Sequence, residues 1–90
     1  MEKITNLLVT GGRGYVGSNT INTLFYLYPN INWIVVGLTK ICEKKTINKD
    51  IVKSNRYTYY QCNIGNNNRM MKILITHNIE YVLDLAALLP

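Results

Sequence analysis

Acidic side chains are scarce: five Asp and Glu stand against ten Lys and Arg, for a formal net charge of +5. Those five, Glu2, Glu43, Asp50, Glu80 and Asp84, are scattered and make no metal-ligand spacing. The single histidine, His77, has no nucleophile at a suggestive spacing, so a self-contained acid–base or nucleophilic catalyst is not indicated. His77 closes a helical pattern and reads as a helix-end residue. Cysteine is limited to Cys42 and Cys62, too far apart to suggest a disulfide framework or a zinc site, so two free thiols are expected. No apolar run approaches the roughly twenty residues of a membrane span, and the opening lacks the basic-then-apolar pattern of a signal peptide. A soluble cytoplasmic protein with no membrane partner is expected.

What the sequence has is concentrated near its start. Ninety residues, 48% of them apolar, suffice for one small domain. Residues 4–10 are β-branched and leucine-rich, as in a strand buried on both faces. Gly11, Gly14 and Gly17 follow at a spacing of three, allowing a tight turn, close backbone approach to phosphate, and close packing of helix on strand. Val16, Ile21, Leu24, Phe25 and Tyr28 then keep helical spacing until Pro29 and Asn30. A second apolar run, residues 33–38, is the natural next parallel strand. The resulting β-α-β unit, with glycines at its first turn, suits a dinucleotide pyrophosphate held at a helix N-terminus.

Residues 39–55 are polar and basic, with Ile41, Ile47, Ile51 and Val52 as apolar anchors, and predict a loop and a weak, largely exposed helix. Lys40, Lys44, Lys45, Lys49, Lys53 and Arg56 cluster here. The cluster reads as a solvated helix face or as an attractor of an anionic ligand. Nucleic acid is not the expected partner, because no recognition motif accompanies the charge. Residues 56–64, with Tyr57, Tyr59, Tyr60 and Cys62, predict a third strand in which the tyrosines pack rather than stack on bases. A loop at Gly65 to Asn68 precedes a helix carrying Met70, Ile73, Leu74 and His77, with Asn78 as its stop. Residues 79–87 predict a fourth strand. The fold class is therefore α/β: a Rossmann-like, doubly wound parallel sheet of about four strands with helices on both faces.

Three segments in register carry a resemblance to the NAD-dependent epimerase/dehydratase family, the extended short-chain dehydrogenases acting on nucleotide sugars. They are Thr10 to Asn19 with Tyr28-Pro29, then Arg56-Tyr57 leading to Cys62-Asn63-Ile64, and finally residues 79–87 ending in Ala86-Ala87. The resemblance spans nearly all ninety residues. It implies that Gly11, Gly14 and Gly17 make room for the pyrophosphate of NAD, with the N–H groups of Tyr15 and Val16 as donors. Asn63 and Ile64 would hold the adenine, Asn63 accepting through its carbonyl oxygen in place of an acidic side chain. Ala86 and Ala87 would line the cofactor cleft, or simply pack tightly at a buried strand end.

Departures from the family pattern are equally informative. The acidic residue that accepts from the adenosine ribose is missing after the second strand, where residues 35–40 read Val-Val-Gly-Leu-Thr-Lys. Arg13 and Lys40 would suit a 2′-phosphate, which makes NADP an alternative to NAD. Asp84 replaces a family histidine, and its carboxylate would repel a pyrophosphate unless it faces elsewhere. None of the seven tyrosines has a lysine four positions on, so the family's Tyr-x-x-x-Lys pair is absent. Residues 1–90 are thus expected to form a partial NAD(P)-binding domain without a substrate-binding domain. A nucleotide sugar would be a partner only if a C-terminal part were supplied. The alternatives are a stand-alone dinucleotide-binding or regulatory module and a remnant without ligand. An exposed fourth strand predicts self-association through a sheet edge.

Overall fold

The computed structural model describes residues 3–11, 15–38 and 47–84, apart from the side chains of Tyr15 and Val16. Along the chain run β1 (Thr5–Thr10), α1 (Tyr15–Leu27), β2 (Ile31–Gly37), α2 (Lys49–Val52), β3 (Tyr57–Gln61), α3 (Asn67–Thr76) and β4 (Tyr81–Asp84). All strand pairs are parallel, and the sheet order is β3-β2-β1-β4. The chain therefore winds outward from β1 to β3 and crosses back to lay β4 on the other side of β1. Right-handed crossovers in that order put α1 and α2 on one face and α3 on the other.

Strand alternation supplies one apolar layer to each face. Val9, Trp33, Val35 and Tyr57 meet Ile21 and Phe25 of α1, together with Ile47 and Ile51. On the opposite face Leu8, Ile34 and Val36 meet Cys62 and Ile73, with Tyr60, Met70 and Leu74 around them. The tyrosines of β3 pack, as their strand composition predicts. Residues 39–46, with Lys40, Ile41 and Cys42, lie outside the described residues. Beyond it the weak helix is a single turn whose anchors, Ile47 and Ile51, are buried, while Val52 is exposed.

Element ends show local chemistry that periodicity does not report. α3 begins three residues before Met70, because the Asn66 side chain accepts from the Arg69 N–H at 3.2 Å and caps it. It stops at Asn78 as expected: φ is 49°, the Asn78 N–H donates to the Ile75 carbonyl, and the Ile79 N–H reaches the Leu74 carbonyl. That is the paired-bond C-terminal motif of a left-handed residue just past the helix end.

Arg56 corrects the reading of the basic cluster, since it is neither a solvated face nor a free anion attractor. Its guanidinium lies 3.9 Å over the Phe25 ring and donates to the carbonyls of Phe25 (3.2 Å), Tyr28 (3.4 Å) and Ile31 (3.0 Å). A fixed cation on these carbonyls complements the negative end of α1. Among the described residues no helix is long and apolar enough to cross a membrane.

Candidate functional site

In a parallel sheet all strands end on one side, and there the first turn leaves β1 beside β4. The last pair across these two strands is Thr10 with Asp84. Immediately after it Gly11 takes φ 72°, a left-handed conformation that side chains disfavour. α1 then opens at Tyr15 with no acidic residue in its first turn, so its N-terminal N–H groups face no competing carboxylate of their own helix. Gly17 and Ser18 are buried on the packed side of α1. A reversed turn, an acid-free helix N-terminus and a glycine where helix meets sheet fit a phosphate-bearing ligand. Tyr15 and Val16 supply the first two helical positions; Arg13 and Gly14 lie outside the described residues, as do Ala86 and Ala87.

Asp84 is exposed at this edge, and one of its carboxylate oxygens accepts from the Thr10 hydroxyl at 2.5 Å. Thr10 is itself buried, so this bond ties the ends of β1 and β4 together directly beneath the glycine turn. Sequence patterning does not reveal the bond, because it joins residues 74 positions apart.

The other two expected positions follow β3 and lie on the same side of the sheet. Asn63 does not offer a free carbonyl oxygen: its Oδ1 already accepts from the Gly65 N–H at 2.8 Å, and its main-chain oxygen from Asn66 at 2.9 Å. Only its second Oδ1 lone pair and its amide protons are uncommitted by these bonds. Ile64 beside it is half-exposed. At the end of β2, Gly37 and Leu38 present no acid, in keeping with the sequence. Instead the Gly37 carbonyl accepts from the Cys62 N–H (2.8 Å) and the Leu38 carbonyl from the Gln61 side chain (3.2 Å). The phenol of Tyr59 leans over Gly37 so closely that a Cβ there would stand 2.9 Å from its hydroxyl.

Three further features lie away from the glycine turn. His77 is a helix-end residue as expected, but its Nε2 is also 2.6 Å from the Tyr60 hydroxyl, pinning the end of α3 to β3. An open groove of about 550 Å³ runs along α3, lined by Tyr60, Arg69, Lys72 and Thr76 among others. At the opposite, amino-end side of the sheet, Lys3 and Glu80 form an ion pair at 2.7 Å. The Lys3 hydrogen bond, and then the Asn6 N–H, hold the Glu80 carboxyl below its ordinary pKa, while Glu80 raises that of Lys3. Among the described residues no three His, Cys, Asp or Glu gather as metal ligands.

Comparison with known proteins gives this geometry a family setting. The family described as GDP-mannose 4,6 dehydratase matches residues 8–89. A trifunctional UDP-glucose 4,6-dehydratase/UDP-4-keto-6-deoxy-D-glucose 3,5-epimerase/UDP-4-keto-L-rhamnose-reductase of Arabidopsis thaliana is 26% identical over 85 residues, covering 94% of this chain and 13% of that protein. The dTDP-glucose 4,6-dehydratase of Bacillus anthracis, solved in complex with NAD, superposes with a TM-score of 0.79 at 21% identity, over 90% of this chain and 26% of that one. An epimerase of Methanothermobacter thermautotrophicus superposes with a TM-score of 0.65 at 23% identity, over 92% of this chain and 23% of that one. The chain thus spans about an eighth of the curated relative's length and about a quarter of each solved structure.

Proposed function

Since the chain belongs to the NAD-dependent epimerase/dehydratase family, through the GDP-mannose 4,6 dehydratase match over residues 8–89, we propose that it is the dinucleotide-binding part of a nucleotide-sugar 4,6-dehydratase. The observation that carries this reading is the first turn: Gly11 at φ 72°, an acid-free start to α1, and β1 at the point where strand order reverses. Ligands of open α/β sheets lie outside the carboxyl ends of the strands at that reversal. In this reading Gly11, Gly14 and Gly17 admit the pyrophosphate, and the N–H groups of Tyr15 and Val16 donate to it. Ile64 covers one side of the adenine, and Asn63 contributes its uncommitted amide protons. Ala86 and Ala87 border the rest of the cleft.

NAD is the proposed cofactor, its nicotinamide supplying hydride acceptance when bound. The fit rests on the glycine turn and the acid-free helix start. Arg13 and Lys40 keep NADP as the second candidate. The chain's own part is to bind and orient. A Tyr-x-x-x-Lys pair is not among these ninety residues, so action on a nucleotide sugar belongs to a larger assembly. A cytoplasmic location and self-association along β4 complete the proposal. A binding module acting alone would keep the fold and the dinucleotide without the nucleotide-sugar reaction, and a remnant would keep the fold and bind nothing.

Calorimetric titration of the folded chain with NAD⁺ and NADP⁺ tests the reading. Saturable binding is expected, lost at least tenfold in Gly14→Asp, which sets bulk and like charge against the pyrophosphate. Equal affinity in that variant, or no binding by a folded chain, overturns it.

A further inference from the structure

The ribose-binding carboxylate missing after β2 leaves a question about what meets the adenosine ribose, and the packing around Gly37 bears on it. β2 and β3 pair Val35 with Tyr59 and Gly37 with Gln61. Side chains at alternate positions share a face, so Tyr59 and Gly37 lie on the same side of the sheet. From its place opposite Val35 the Tyr59 ring leans toward the carboxyl ends of the strands and lies over Gly37. A Cβ there would meet the hydroxyl at 2.9 Å and the ring at 3.5 and 3.6 Å. Glycine at 37 is therefore what lets the phenol reach the end of β2. The pair delivers one hydroxyl, on a half-buried ring held by the core, to the end of the strand that lacks an acid.

We propose that the Tyr59 hydroxyl, admitted by Gly37, is the partner of the adenosine ribose 2′-hydroxyl in this chain. The assignment rests on the dinucleotide reading above and adds the residue that sets its ribose contact. A phenol both donates and accepts, so it can serve a 2′-hydroxyl as a carboxylate does. It carries no charge, so unlike a carboxylate it does not repel a 2′-phosphate. NAD and NADP are then separated by little at this slot.

The test compares 5′-ADP with 2′-deoxy-ADP in calorimetric titrations of the full 90-residue chain and of Tyr59→Phe and Gly37→Ala. The wild type is expected to bind ADP roughly three- to tenfold tighter than its deoxy analogue, the range of one neutral hydrogen bond. Tyr59→Phe binds both with the wild-type affinity for the deoxy compound, and Gly37→Ala, whose methyl displaces the hydroxyl, also loses the preference. Loss of packing alone would weaken both nucleotides together and leave their ratio intact, so the ratio isolates the hydroxyl. A wild type without preference, or a preference that survives in Tyr59→Phe, overturns the assignment while NAD⁺ binding still stands. Failure of the folded wild type to bind ADP or NAD⁺ overturns the dinucleotide reading, and the ribose partner with it.

Discussion

β2 and β4 are both apolar strands paired with β1, yet they live in different surroundings. Trp33 and Val36 of β2 are 1% and 0% exposed, whereas Tyr81 and Val82 of β4 are 65% and 58% exposed. β2 has a strand on each side and helices over each face; among the described residues β4 has a strand on one side only, and its inward contact to the α1 layer is Leu83. Apolar composition thus identifies a strand, while its rank in the sheet decides how much of that composition is used. β2 is where folding free energy is made, and β4 carries surface that another partner can still cover.

The sharpest way to break this comparison is truncation at the centre against charge at the edge. Trp33→Ala is expected to lose about 3–5 kcal/mol of stability, enough to unfold a domain of this size. Val82→Lys is expected to stay within about 0.5 kcal/mol of wild type, as exposed changes do, and to convert any self-associated species on sizing chromatography to monomer. Equal thermal shifts for the two would erase the distinction.

Arg56 tests the same contrast from the side of β3. Arg56→Ala is expected to cost about 2 kcal/mol in chemical denaturation, through lost charge-assisted bonds and ring stacking. Lysine should recover little of it, because three carbonyls and an aromatic face match a planar fork.

The smallest effect belongs to the amino end of β4. The folded pKa of Glu80 lies below its ordinary value, so the stabilisation from its bonds to Lys3 and Asn6 is present above the unfolded pKa and fades as pH falls through the folded one. Lys3, raised, keeps its share below its unfolded pKa and loses it only as pH climbs through the higher folded value. Glu80→Gln should flatten a shallow acid-side slope in stability near and below pH 4.5 and leave the neutral plateau almost unmoved, as denaturant titrations across pH would record.

The succession of strands and helices, the placing of helices on both faces and the glycine turn follow from features that repeat locally: runs of Val and Ile, the 3.6-residue spacing of α1 and α3, and glycines at fixed offsets. Asn78 as a stop and His77 as a helix-end residue were legible for the same reason. The contacts that refine the site were not. Thr10 with Asp84, Arg56 with Phe25, and Tyr59 over Gly37 join residues 22 to 74 positions apart, and only sheet register brings them together. Arg56 misleads in particular, because a lysine-rich neighbourhood makes a structural cation look like one more member of a charged surface. Asn63 misleads in the opposite sense, since an amide in a turn bonds its own backbone before it is available to anything else.

The Arg56 clamp also bears on how the domain breathes. By binding the carbonyls of Phe25 and Tyr28 from the residue before β3, it joins the end of α1 to a strand that the chain has yet to make. Local opening of that helix end breaks these bonds to Arg56, so amide exchange at the end of α1 is expected to be coupled to opening at the start of β3. α1 is about 20 Å long, so this cation fixes the helix at the end farthest from its start at Tyr15.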